Sequence, residues 1–508
     1  MRNGALWLTL SLSLAARAQV PGFVVPQVAN APTGALKVAL DGVDAGRIKG
    51  HVAFLADPKQ EGRGLGTEGL KRVEQYLLRE MKAAGLQPVP GQKSLVQAVP
   101  LRRISHLGGN LTLPGHAPLR DGLDCVLPYR APEVFVGELV DVGLGIQEPT
   151  LGHDDYRGLD LRGKIAVLHS GVPAGAQWQK PEFLERWASP KVGDRYDARV
   201  DLLERLGAKA VVAIEPDMGP PEARETIFRP EAGVTTSEEP PLVRVKSLPP
   251  FEKGTMAKLE ITGQVEVTTL SNLIGCIPGT DPVLSREAVV IGAHMDHLGM
   301  SGGQLHPGAD DNASGVSALL EILRAFAKSS ERPRCTVLFA FWTGEEDGKF
   351  GSGHYVRHPL WALERTKAYL NLDMVGHPWT APELRKLVEA TAPTQAAALL
   401  GQILPEAFAE PGFADWVPEL GEVLAQAGQV SGMALHLDPT DGRSGGSDYR
   451  DFARQRVPFV RFFGNFFPEY HQPGDTAERL DANQVKRMAR LALATAWGLS
   501  MGPRSQKN

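Results

Sequence analysis

The chain holds only 3 cysteines in 508 residues, Cys125, Cys276 and Cys335. None stands in a Cys-x-x-Cys pair, which excludes a thiolate zinc site of the usual spacing. An odd count leaves at least one thiol unpaired within a monomer. Cys276 and Cys335 fall on strand-like apolar runs and are expected as free core thiols. There is no long basic block, and the net charge is −5, so nothing supports a nucleic-acid partner. Beyond the first residues no apolar run approaches the roughly 20 residues needed to span a bilayer. Short-period repeats and low-complexity arrays are also missing. What remains is 43% hydrophobic and 22% charged, the composition of a globular protein. At this length two or more domains are expected.

The first residues carry their own pattern. Arg2 is followed by an apolar run from Ala5 to Ala16 and then Ala16-Arg17-Ala18. This reads as a bacterial secretory signal over 1–18, cleaved after Ala18. The run is too short to be a spanning anchor. A secreted or periplasmic product with no stable membrane span after signal removal is expected.

Two α/β patterns flank a different middle. Leu70, Val73, Leu77 and Met81 recur at steps of three and four, predicting a helix from Gly69 to Ala84 that Gly85 stops. Ser94–Leu101 reads as a strand. Residues 108–256 then form a β-rich stretch, with strand-like runs Val134–Gly143, Gly163–Leu168 and Gly207–Ile214. It is read as an insert, so that 19–107 and 257–508 make one discontinuous domain. From Asn272 onward strands are predicted at 287–293, 336–342, 367–375 and 457–464, with helices at 313–327 and 482–500. This alternation predicts a mostly parallel mixed sheet sandwiched by helices. Sites in such sheets form at the carboxyl ends of strands.

Chemistry-bearing residues gather at those predicted ends. His294 follows 287–293, and Asp311 lies in the loop after it. Glu345 and Glu346 follow Thr336–Trp342, Asp373 follows Ala368–Leu372, and His471 follows the strand 457–464. Buried carboxylates and imidazoles converging on one rim are costly unless a cation holds them. Imidazole and carboxylate without cysteine suit a catalytic zinc site. Five ligands exceed the need of one zinc and match two ions if one carboxylate bridges, an arrangement that activates water. Of two adjacent glutamates, one is free to act as general base. Each block alone has an ordinary reading: Asp-Asp-Asn before a helix caps it, and Asn312 is expected to do so. His297 is expected only to line the site. His354 and His358 are read as structural, and no partner is evident for His377 or His436.

The blocks Gly292–Asp296, Gly308–Gly315, Gly344–Glu346, Asn371–Met374 and Tyr470–Asp475 resemble those of the co-catalytic two-zinc exopeptidase family. That family includes secreted bacterial leucyl aminopeptidases, glutamate carboxypeptidases and glutaminyl cyclases. The resemblance implies the zinc exopeptidase fold and two Zn2+ per chain. It implies that Asp311 bridges, that His294 and Asp373 complete one zinc, and that Glu346 and His471 complete the other. Glu345 is then the general base, and Asp296 orients His294. Gly62–Thr67 and the helix after it look like the family's N-terminal segment. The insert 108–256 resembles the protease-associated domain of many members. Residues 381–440 match no part of the family's pattern and are expected to be an elaboration near the site. Ser447-Asp448-Tyr449 stands where the family often has Ser-Asp-His, and Arg461, a charge on a predicted strand, must find a partner. The implied function is a zinc aminopeptidase acting on peptides. A glutamate-type carboxypeptidase is the alternative, with Arg443, Arg450 and Arg461 as cations for a substrate carboxylate. A non-catalytic binding protein on this scaffold is the other.

Overall fold

Three seven-residue strands among the described residues are buried at every position: β2 (Ala288–His294), β3 (Thr336–Trp342) and β4 (Thr366–Leu372). Continuous apolar runs of this kind belong to strands covered on both faces. In the computed structural model they form the middle of a sheet. The structure describes residues 22–27, 31–188, 192–218, 226–230, 239–301 and 303–502. The proposed signal therefore lies outside the described residues.

The chain divides into two compact units, Met1–Val99 with Leu270–Asn508, and Pro100–Thr269. The second is wider than the stretch 108–256 expected from sequence. Strands Val96–Thr112 and Met256–Ile277 each run through a boundary, and composition does not change within a strand.

The remaining strands of this sheet in the first unit are β1 (Met256–Ile277, from Leu273 onward), β5 (Gly412–Ala414), β6 (Asp438–Thr440) and β7 (Phe459–Phe462). The order is β6-β5-β7-β4-β2-β3-β1. β7, β4, β2 and β3 are mutually parallel, while β1 and β5 flank them antiparallel. Helices α1 (Ala45–Leu55), α2 (Glu68–Ala83), α3 (Gly315–Lys328) and α5 (Ala482–Met501) contribute to one large core with the sheet. α4 (Phe350–Arg357) follows β3 and supplies Tyr355 and Val356 to a separate core with Trp342, Tyr369 and Phe452. The predicted mostly parallel mixed sheet is therefore present. Residues 381–440 include helices Ala381–Thr391 and Glu419–Ser431 and the short strands β5 and β6, which extend the sheet beyond β7. Arg461 on β7 finds its partner there, 2.5 Å from Asp438 Oδ2.

The second unit has its own sheet. Glu133–Asp141, Ile165–His169, Ala210–Ile214 and Leu242–Val245 run parallel in that order, and Cys125–Val126 closes the edge antiparallel. Phe135, Leu139, Ile165, Val212 and Val243 lie in one core of this unit. The three cysteines are free and buried.

Candidate metal centre

Because β2, β3, β4 and β7 are parallel, their carboxyl ends share one rim. His294 ends β2, Glu345 and Glu346 follow β3, Asp373 follows β4, and His471 lies beyond β7. Asp311 comes from the loop between β2 and α3.

Asp311 is the hub. Its Oδ1 lies 3.3 Å from His294 Nε2, and its Oδ2 lies 3.0 Å from His471 Nε2. His294 Nε2 is also 3.2 Å from Asp373 Oδ1. His471 Nε2 is also 3.2 Å from Glu346 Oε2. The two oxygens of Asp311 thus face two different imidazole–carboxylate pairs. Donor atoms of His294, Asp311 and Glu346 all lie within 4.8 Å of one another. The five residues named from sequence as ligands are brought together.

Charge in this cluster is displaced strongly. Burial opposes protonation of His294, yet Asp373 and Asp311 raise its pKa well above the usual value. Burial likewise opposes protonation of His471, but Asp311 and Glu346 raise it to about 10. Burial pushes the carboxyl of Asp311 up, and His294 and His471 pull it well below the carboxylate range. Burial and Asp311 push Glu346 up, and His297 and His471 hold it at about 2. These shifts mark a cluster in which buried carboxylates demand positive charge. Nitrogen and oxygen donors, no sulfur and several buried anions fit zinc.

Main-chain geometry explains how the loops stay in place. Asp475 accepts from the amides of Asp310 and Asp311 through Oδ1 and Oδ2 at 2.9 and 3.1 Å. Asp310 in turn accepts from Gly376 N at 2.7 Å and sits 2.6 Å from His377 Nδ1. Asn312 Oδ1 accepts from Gly315 N at 2.9 Å, the capping role expected of it. Gly308 has φ +61°, and a Cβ there would sit 2.1 Å from Asp311 O. Only glycine lets this loop close on itself.

Sequence reasoning missed several members. Arg63 is buried and donates to five carbonyls: Met295 and Leu55 at 3.0 and 2.9 Å, Pro307 and Gly308 at 2.7 Å each, and Asp311 at 3.2 Å. It sits after Glu61 and Gly62 in a run with φ of 52°, 57° and 54°. A Cβ on Gly62 would come 2.3 Å from His306 O. The sequence signal was the Gly-Arg-Gly at 62–64. His297 does more than line the site, since its Nδ1 lies 2.5 Å from Glu346 Oε1. His377 and His436 have partners after all, Asp310 and Glu410, the latter at 2.7 Å.

The role expected of Asp296 needs correction. Its carboxylate does not bond His294 but accepts from the amides of Glu345 and Glu346 at 3.2 and 3.4 Å. His294 Nδ1 faces the Asp296 main-chain carbonyl at 3.3 Å. The side chain points across to the β3 loop, so it fixes the glutamate pair instead. Glu345 itself is buried, and burial pushes its pKa well above the carboxylate range. Tyr449 stacks on Phe459 with ring centroids 5.1 Å apart.

The chain is similar to several known proteins. Residues 272–496 match the profile of Peptidase family M28. The chain is 34% identical over 324 residues to a probable leucine aminopeptidase 2 of Aspergillus fumigatus, covering 63% of this chain and 55% of that one. It thus spans about half the length of that relative. It is 24% identical over 479 residues to the probable lipoprotein aminopeptidase LpqL of Mycobacterium tuberculosis, covering 89% of this chain and 85% of that one. In fold it is similar to an aminopeptidase from Aneurinibacillus sp. strain AM-1, with a TM-score of 0.57, 20% identity and coverage of 92% and 97%. It is also similar in fold to BSAP, a zinc aminopeptidase from Bacillus subtilis, with a TM-score of 0.53, 21% identity and coverage of 90% and 95%.

Proposed function

We propose that this chain, whose residues 272–496 match the profile of Peptidase family M28, is a di-zinc aminopeptidase that releases N-terminal residues from peptides. One observation carries the reading: each oxygen of Asp311 faces a separate imidazole–carboxylate pair. In this reading Asp311 bridges two zinc ions, His294 and Asp373 complete one site, and Glu346 and His471 complete the other. Three carboxylates facing two neutral imidazoles leave a deficit of positive charge that two divalent ions offset. Zinc, when bound, supplies Lewis acidity, lowering the pKa of water and polarising a carbonyl.

The protein's own groups do the rest. Glu345 takes a proton from the attacking water and hands it to the leaving amine. Its burial raises its pKa, which makes the carboxylate a stronger base toward the water's proton. Asp296 keeps Glu345 and Glu346 in register through their amides.

The names of the relatives support an aminopeptidase over a carboxypeptidase. Arg461, one cation offered for a substrate carboxylate, is engaged by Asp438. The unit Pro100–Thr269 is read as the protease-associated insert. Export is part of the reading, on the pattern at 1–18. No helix among the described residues is long and apolar enough to cross a membrane.

The test is hydrolysis of aminoacyl-nitroanilides and of N-blocked peptides with acidic C-termini, with and without chelator. Chelator-sensitive release from free aminoacyl substrates is expected, with a loss of about 10²- to 10⁴-fold in Glu345→Gln. Cleavage only at a C-terminal acidic residue overturns the reading in favour of a carboxypeptidase. Absence of stoichiometric zinc overturns it in favour of a binding protein.

A further inference from the structure

The loop after β3 closes on itself rung by rung. Gly351 N donates to Thr343 O at 2.8 Å, Phe350 N to Gly344 O at 2.8 Å, and Lys349 N to Glu345 O at 2.9 Å. Asn272 clamps its base, donating to Gly351 O at 2.9 Å and accepting from Thr343 N at 3.3 Å. The return leg contains two successive residues in the left-handed region, Gly348 at φ +136° and Lys349 at φ +61°. Glycine takes that conformation freely, whereas a lysine there is strained. The strained residue also keeps its ammonium out of water, for the Lys349 side chain is only 12% exposed. A buried lysine is costly unless it is paired. Its partner is Glu345 itself, with Nζ 2.9 Å from Oε1 and the carboxylate 8% exposed.

We propose that Lys349 is a positioning residue for Glu345, anchoring one carboxylate oxygen so that the other faces the attacking water. This inference rests on the aminopeptidase reading, which makes Glu345 the general base. The chain fixes Glu345 at both ends. Asp296 holds its amide, and Lys349, one turn on, holds its carboxylate. Without the ammonium the carboxylate is free to rotate about its terminal torsion, which is broad and weakly preferred. Near-attack geometry is then lost for part of the time. Metal ligation is left intact, because the contacts of Glu346, Asp311 and His471 do not involve Lys349.

The experiment compares wild type, Lys349→Met, Lys349→Arg and Lys349→Cys, the last before and after alkylation with bromoethylamine, which restores an ammonium at nearly the original length. Each is assayed on an aminoacyl-nitroanilide, with zinc content and melting temperature measured alongside. For Lys349→Met the expected result is a fall in kcat on the order of 10- to 100-fold, with KM, zinc content and melting temperature close to wild type. Alkylated Lys349→Cys and Lys349→Arg recover a large part of kcat. Wild-type kcat in Lys349→Met overturns the inference alone. So does a kcat loss that tracks lost zinc or melting temperature, or one that alkylation does not relieve. Wild-type protein that turns over no substrate overturns the aminopeptidase reading and this inference with it.

Discussion

His297 Nδ1 lies 2.5 Å from Glu346 Oε1, while Glu346 Oε2 lies 3.2 Å from His471 Nε2. One histidine therefore occupies one oxygen of the glutamate and leaves the other turned to the centre. Partners of this kind set the orientation and basicity of a ligand, and their loss costs roughly 10- to 100-fold in metal affinity or activity. His297→Ala is expected to weaken zinc retention by about that factor. Titration with a competing chelator measures it. Retention equal to wild type would show that His297 merely fills space.

Arg63 joins a segment far upstream to the connection between β2 and α3 through four carbonyls, and also holds the Leu55 carbonyl. Arg63→Met leaves those buried acceptors without their donor. A loss of about 3 kcal/mol or more is expected, read from urea unfolding. A midpoint within experimental error of wild type would mean that water replaces the guanidinium without cost.

The thiols give a third check. Burial raises Cys125 to about 12 and Cys276 to about 11, and raises Cys335 as well. The thiolate is the reactive form. Ellman's reagent at pH 8 is expected to label none of the three in native protein and all three in guanidinium. Rapid labelling of any one in native protein contradicts their burial.

Acid stability offers a fourth. The amide of Leu284, then Arg334 and the amide of Val283, lower Asp281 from 3.8 to about 2. A carboxyl whose pKa is depressed on folding contributes stability above its unfolded value and loses it as pH falls through the folded one. Asp281→Ala is therefore expected to be less stable than wild type at pH 5, with the gap narrowing at pH 3. Unfolding midpoints at the two values decide it; a constant gap assigns the effect to packing instead.

The site was legible because a parallel sheet needs continuous apolar strands, and apolar runs are visible in a sequence. Ala288–Ala293 and Thr336–Trp342 mark their own ends, so His294 and Glu345–Glu346 follow directly. Asp373 and His471 were found in the same way. Arg63 was not, because its role is built from main-chain carbonyls, and a carbonyl leaves no trace in residue identity. The side chain of Asp296 was assigned to the wrong neighbour for a related reason: its acceptors are filled by amides from another strand's loop. Lys349 was hidden because left-handed backbone at a lysine has no pattern. The boundaries of the insert were blurred by two strands that run through them.

Asp475 accepts from the amides of Asp310 and Asp311, and it is made long after they are. A nascent chain that has already folded β2 to β4 still lacks the carboxylate that pins the hub loop and the imidazole of His471 just before it. Its half-built rim lacks the imidazole that faces Asp311 Oδ2 and Glu346 Oε2. In the proposed reading, the second metal site is therefore the one completed last in chain order.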